Sequence, residues 1–365
     1  MKRIATALGL ALWVTACGSS NPFTPEVTVT DTDTDTDTDT DTDTDTSIDS
    51  RGLPPGTTSP TPNTSITRYE EVDDIGGGYA KNIVYRNDLG QDQFEVDNLA
   101  FDGDNTYIRG NAVSSLGPYA VYESDLITTD PSTGNVINTL PYRAIYGKSN
   151  TGETEFAIVR TGSYRSYGFG GFVYQRNQTD NAGNDVSLVM PTSGDAEYSG
   201  AYAATRIFNG RGGLEYVTGN ATMVVDFKDF DEAKNGVYLY VRDRKLFDAN
   251  GTDITASYLT AIDTANAGKT VVHETDSAGN QVLPRLSPLI SPDIADANGE
   301  MVGGMHSVVQ FNDGSAVALD SGNFYAIMSG QNAQEVVGVI VVEQDDPRVD
   351  NVTSQETGGF IVYRQ

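Results

Sequence analysis

Short runs that alternate apolar and polar residues, interrupted at close intervals by turn-forming Asx and Gly pairs, limit residues 66 to 365 to one class of fold. The turns are Asn87-Asp88, Asp102-Gly103, Asn209-Gly210, Asn235-Gly236, Asn250-Gly251, Ala278-Gly279-Asn280 and Asn312-Asp313-Gly314. Strands bounded in this way pair as antiparallel meanders. Because strand side chains alternate between faces, Tyr198, Gly200, Tyr202, Ala204 and Phe208 share one face. Met223, Val225 and Phe227 do so in the next run, and Val237, Leu239 and Val241 in the one after. Helical spacing is confined to Ser257 to Ala265, with a turn at Asn332-Ala333-Gln334. No glycine-rich phosphate loop stands between a strand and a helix, so a nucleotide-binding α/β domain is not supported. The expectation is an all-β chain.

A motif recurs within it. Gly76-Gly77-Gly78-Tyr79 precedes Val84-Tyr85-Arg86, and Gly170-Gly171-Phe172-Val173-Tyr174 precedes Arg176. Gly358-Gly359-Phe360-Ile361-Val362-Tyr363-Arg364 stands just before the final Gln365. Paired glycines before an aromatic strand let a neighbouring strand or ring come close. The alternative is chance recurrence in a chain rich in Gly and Tyr. If the echo is real, its second and third copies each close a β unit, with the boundary near Asn177 to Asp185 or at the Pro191-Thr192-Ser193-Gly194 turn. Residues 66–185 would then form one antiparallel unit and 195–365 another.

The N-terminus carries an address. Lys2 and Arg3 lead into an apolar run from Ile4 to Val14, then small residues before Cys17, the sole cysteine. That is the layout of a removable export signal, too short for a membrane span of about 20 residues. Val14-Thr15-Ala16-Cys17 resembles the lipobox of bacterial lipoproteins, which implies removal of residues 1–16 and lipidation of Cys17. The alternative is a plain secretory signal. Gly18 and Ser19, with no aspartate, resemble lipoproteins sent on to the outer membrane. With Cys17 lipidated no thiol is left for a disulfide or a metal.

Residues 17–65 read as a disordered tether. Asp31 to Thr46 is a strict Asp-Thr repeat between prolines, and neither face of such a strand is apolar. Extended, its carboxylates stand about 7 Å apart, within the roughly 8 Å screening length, so they repel and stiffen the tract. Calcium binding by the polyanion and modification of the threonine hydroxyls are alternatives. Of the formal charge of −28, residues 1–17 carry +2 (Lys2 and Arg3), residues 18–65 carry −9 (ten acids against Arg51) and residues 66–365 carry −21. A body this acidic without a basic patch excludes nucleic acid as a partner.

The second unit carries a resemblance. Tyr198-Ser199-Gly200, Val225-Asp226-Phe227, Phe324-Tyr325-Ala326 and the run from Gly330 to Gly338 are similar to motifs of the transferrin-binding protein B and factor H-binding protein group of surface lipoproteins. That resemblance implies an eight-stranded up-and-down β-barrel with a filled interior over residues 195–365. It further implies an adjoining antiparallel β handle over 66–185, and display at the bacterial surface on a lipid. The sequence departs from the group at Val337-Gly338 and in the long segment Thr252 to Glu300, which holds Pro284, Pro288 and Pro292. Family contacts lie in loops that no motif marks, so no binding residue carries over.

Chemistry is sparse. His273 and His306 are the sole histidines, each alternating with apolar residues, and neither a nucleophile elbow nor a zinc helix is present. So many acids leave no pair of carboxylates singled out for glycoside cleavage. Asp102-Gly103-Asp104-Asn105 and Asp293 to Asn298 resemble calcium-loop fragments but lack the closing glutamate, and Asx turns explain them better. Asp226 and Glu335 are expected to hold backbone amides or lie in water, and Gly338 and Gly359 to relieve crowding. Tyr164, Arg165 and Tyr167 belong to an aromatic and arginine cluster with Arg160, Phe169, Phe172, Tyr174 and Arg176. Exposed, such a cluster would make a binding patch; buried, it is cross-strand packing, which the neighbouring glycines favour. Tyr164, Arg165 and Tyr167 are the binding candidates.

The sequence thus reads as a non-enzymatic binding lipoprotein without a cofactor, held at the outer membrane by Cys17 and capturing a protein or solute ligand. An envelope structural lipoprotein and a β-scaffold hydrolase are the alternatives.

Overall fold

The structure is a computed structural model that describes residues 52–365 except 87–91, 98, 101, 104, 131, 230–235 and 291–294. Cys17 and the Asp-Thr repeat lie outside the described residues. Among the described residues two antiparallel sheets account for nearly all the regular structure, with one short helix.

The first sheet contains β1 (Ile66–Tyr69), β2 (Lys81–Arg86), β3 (Gln93–Asp97), β4 (Thr106–Arg109), β5 (Tyr119–Ser124), β6 (Tyr142–Lys148), β7 (Thr154–Thr161) and β8 (Gly170–Arg176). Their order is β1-β8-β7-β6-β5-β4-β3-β2, with Ser115–Leu116 added on β5. The second contains β9 (Asp195–Asn209), β10 (Leu214–Asp226), β11 (Val237–Asp248), β12 (Ser287–Pro288), β13 (Glu300–Phe311), β14 (Ala316–Ser329), β15 (Glu335–Asp345) and β16 (Thr353–Arg364). Here β11-β10-β9-β16-β15-β14-β13 run in that order, and β12 pairs with β13. Leu283 and Leu286 bridge back to Arg244 and Val241 of β11, which closes an eight-stranded up-and-down barrel.

The alternation read from the sequence is the inside-outside pattern of this barrel. Tyr198, Tyr202 and Ala204, then Met223, Val225 and Phe227, then Val237, Leu239 and Val241 all join the lumen core. The helix α1 spans Thr255–Ala265, two residues earlier than its spacing indicates, and Tyr258, Leu259 and Ile262 join the same core.

The recurring glycine motif has a topological counterpart. In each sheet the last strand pairs with the first: β8 with β1 and β16 with β9. The glycines admit rings from two sides. A Cβ at Gly358 would overlap the lumen ring of Tyr202, and one at Gly359 would overlap Phe156, which reaches the barrel wall from β7 of the other sheet.

That insertion belongs to a second core between the sheets, where Tyr119, Phe156, Ile158 and Phe172 meet Ile207, Tyr216, Val339 and Ile361. The Tyr119 hydroxyl accepts from the Ile361 N–H and donates to the Ala201 carbonyl, each at 2.8 Å. Burial pushes the Tyr119 hydroxyl well above its ordinary pKa, which keeps it a donor. Around this core, Arg68 forks onto Glu300 at 2.6 and 2.7 Å with both groups buried. The Thr151 and Thr154 hydroxyls both donate to Glu335 at 2.7 Å. Glu335 is therefore neither in water nor on backbone amides, as its sequence setting suggested, but buried at the junction as the acceptor for the first sheet.

Residues 52–65, which by sequence end the tether, also lie against the body. The carbonyls of Thr61 and Thr64 accept from Arg176, which further donates to Asn298 and Met328. A buried guanidinium with no carboxylate in its fork among the described residues needs such carbonyls, and this segment supplies two of them.

Truncation of the inserted ring tests the junction. Phe156→Ala should cost about 3 to 5 kcal/mol, the range for a buried aromatic emptied to a cavity, measured as a lowered urea midpoint. Gly359→Val should destabilise comparably by collision with Phe156, and the double variant should recover part of the loss.

Candidate functional site

A barrel invites a ligand into its lumen, but this lumen is full. Its apolar part holds Phe324, Phe360, Met301 and Met305 among the buried residues. Its remaining part holds ions: Arg244 donates to Glu356 at 2.7 Å and to Asp320 at 3.1 Å, all three essentially without exposure. Tyr202 donates to Glu356 and Ser307 to Asp320, while Tyr258 of α1 receives bonds from Arg206 and Gln344. Two arginines, Arg206 and Arg244, against two carboxylates leave the cluster near neutral. Burial pulls the Arg244 guanidinium down, and Glu356 with Asp320 outweighs it and holds the group above its ordinary value.

Arg244 also reaches the wall of the barrel, where its Nη1 donates to the Pro284 carbonyl at 2.8 Å. Pro284 belongs to the long segment that supplies the eighth strand, and that strand is broken. Val271–Val272 pairs with Phe311 and Gln310, the chain leaves as a hairpin of Glu274–Thr275 on Gln281–Val282, and it returns to pair Ser287 with His306 and Pro288 with Met305. Proline has no N–H for the ladder, so pairing through Pro284 and Pro288 cannot be continuous. Ser307, Val308 and Val309 are left between the two pairings on that edge of β13.

An external groove of about 460 Å³ opens over this break. Outward residues of β11 supply Tyr240 and Arg242; β13 supplies His306, Val308 and Gln310; the broken strand supplies Glu274, Arg285 and Ser287. Arg242 lies over the Tyr240 ring at 5.2 Å and has no carboxylate partner among the described residues. Arg285 pairs with Glu274 at 3.1 Å, and both line the groove. The Nδ1 atom of His306 is buried and has no partner among the described residues. A second cavity of about 390 Å³ lies at the junction of the sheets, lined by Val113, Ser114, Leu116, Thr218 and Phe247.

The candidates read from sequence lie elsewhere. Tyr164, Arg165 and Tyr167 sit on the connection between β7 and β8. Tyr164 packs edge-on against Phe169, and the exposed Arg165 accepts a bond from Gly210 through its carbonyl. Tyr167 is buried, donates its N–H to Phe208 and shares a 2.8 Å hydrogen bond with Thr353. The loop thus clamps the turn after β9. Among the other cluster members, Arg160 is paired to Glu70 at 2.6 Å and Tyr174 is fully buried. His273 pairs with Asp263 at 2.9 Å. Asp226 accepts from the Lys228 N–H, and Asp296 from the N–H groups of Asn298 and Glu300, so both are turn residues. Sequence reasoning misses the groove residues because they come from three separate segments. The one signal that points to them is the proline-bearing length between Thr252 and Glu300.

No family model matches the sequence, and no curated protein matches it. Among solved structures, the chain is similar to Transferrin Binding Protein B of Haemophilus parasuis Hp5. In one variant of that protein the identity is 13%, with 71% of this chain and 39% of that chain covered and a TM-score of 0.33. In another the identity is also 13%, the cover 82% and 45%, and the TM-score 0.34. The isotype 1 protein of serogroup B Neisseria meningitidis gives 14%, 78% and 52%, and 0.28. The chain therefore spans about two-fifths to one-half of the length of these proteins.

The seam is open to two tests. Arg244→Met strands Glu356 and Asp320 in the lumen, so it should cost about 3 to 5 kcal/mol in chemical denaturation. Asp276, at the tip of the departing hairpin, has its carboxyl pulled down to about 2 by Asn280 and turn N–H groups. Its folded pKa lies below the unfolded one, so its contribution is present above about pH 4 and lost as pH falls through about 2. Asp276→Ala should therefore lower the melting temperature at pH 5 and converge with the parent near pH 2.

Proposed function

We propose that this protein is a lipid-anchored binding protein of the bacterial outer membrane, which recognises a protein or solute ligand with its outside surface. The filled lumen carries this reading. A barrel whose axis is occupied by Tyr202, Phe324, Phe360 and a closed ion cluster has no volume for cargo, so recognition falls to grooves and loops on the exterior. Binding is favoured over catalysis because Glu274 is the one carboxylate among the described residues lining the groove, whereas acid-base cleavage of a glycoside needs two. The lipidation of Cys17 and the spacing role of the Asp-Thr tract rest on the sequence pattern, with the tract holding the body off a membrane surface by self-repulsion.

Two measurements test this. Labelled palmitate should enter the protein, and Cys17→Ser should abolish both labelling and fractionation with the outer membrane. The intact protein, immobilised and exposed to the natural medium of its cell, should retain a ligand that a Cys17→Ser form retains equally. Normal processing of the variant would refute the anchor, and an empty resin would refute the binding role.

A further inference from the structure

We propose that the groove over the broken strand binds a sugar acid, a small polyhydroxylated molecule with one carboxylate. This deepens the binding reading above, on which it rests, by naming the chemistry of a ligand.

Several polar side chains of the groove are uncommitted to the rest of the protein. Tyr240, Arg242, Ser287 and Gln310 line it, and none of their side chains hydrogen-bonds another described residue. His306 adds a buried Nδ1 with no partner among those residues. Several other arginines of this acidic chain are committed to carboxylates, Arg68 to Glu300, Arg160 to Glu70, Arg244 to Glu356 and Arg348 to Glu215, whereas the exposed Arg165 has none among the described residues but lies outside this groove. Among the described residues Arg242 is left with an aromatic face alone, and a second guanidinium, that of Arg285, lines the same groove. A planar fork without a carboxylate is matched to one, since guanidinium and carboxylate pair through two parallel bonds.

The net charge of −28 does not decide against an anion here. Charges farther than about 8 Å are largely screened at physiological salt, so the local cations govern the groove. Size and lining then choose the rest of the ligand. A bare inorganic anion would leave most of the roughly 460 Å³ empty. An acyl chain would find Val308 as the sole aliphatic wall among the described lining residues. Ser287, Gln310, Tyr240 and Glu274 offer hydroxyl, amide, phenol and carboxylate partners, which suits a ring bearing several hydroxyls. The carboxylate seats on Arg242 with Arg285 beside it, and the hydroxyls face the neutral donors and Glu274.

Titration of the intact protein with galacturonate and glucuronate, followed by calorimetry and ligand-observed NMR, tests the assignment. Saturable binding is expected, with galactose and glucose at least about tenfold weaker and acetate weaker also. Arg242→Gln should reduce uronate affinity about tenfold or more, Arg242→Lys less, and Arg165→Gln on the β7 to β8 loop not at all. Because Arg242 hydrogen-bonds no described residue and loses only its contact with the Tyr240 ring, the melting temperature of Arg242→Gln should stay close to that of the parent, so loss of binding cannot be ascribed to unfolding. A galacturonate trimer binding more tightly than the monomer would place the sugar acid in a polymer, and equal affinity would assign the free acid. The proposal is overturned if uronates show no saturation up to roughly 50 mM, if the neutral sugars bind equally, or if Arg242→Gln binds as the parent does. Such a result alongside a ligand captured on the resin would fault the groove and leave the binding role standing.

Discussion

The seating of Phe156 against Gly359 is the contact on which the arrangement of the whole molecule depends. A sheet curled into a barrel buries its inner face by itself, but the outer face of β9, β15 and β16 is also apolar, with Ile207, Val337, Val339 and Ile361. That outer stripe needs a cover, and the first sheet provides it. Glycine at 359 lets a ring approach the backbone where any side chain would hold the sheets apart. The polar bonds arrayed around it, Arg68 to Glu300 and the two threonines to Glu335, are buried and hydrogen-bonded, so they fix register more than they add stability.

A second constraint shapes the opposite side. Seven barrel strands are long and one is broken, and the break is tolerable because Arg244 reaches from the lumen to the Pro284 carbonyl. One buried guanidinium thus links the ion cluster inside to the wall outside. The exterior groove is a product of the same break, since its floor is the stretch of β13 that the missing pairing leaves uncovered. Filled interior and recessed exterior meet at that one side chain.

Much of the architecture is legible in the residues themselves. The alternation in β9, β10 and β11 puts Tyr198, Tyr202, Ala204 and the apolar residues of β10 and β11 in the lumen core, while Phe208, read onto the same face, is buried outside that core under Arg211; the paired glycines mark the closing strand of each sheet. Glu335 defeats a local reading because its partners, Thr151 and Thr154, stand about 180 residues away in sequence. The aromatic and arginine cluster is legible as strand packing, whereas the docking of Tyr167 on Thr353 is not. The groove is illegible for the same reason: Arg242, Arg285 and His306 look like scattered outward residues until closure of the barrel brings their strands together.

Local rules act over a few residues, so composition and spacing alone determined that the chain is all-β, that the alternating residues of β9 to β11 share a face, and that the N-terminus bears an export pattern. Which side of a strand faces water, and which faces another sheet, depends on surfaces brought together over long separations. Only the tertiary structure could decide that the outer wall is partly buried, that the eighth strand is interrupted, and that an arginine with no carboxylate partner among the described residues stands over the interruption.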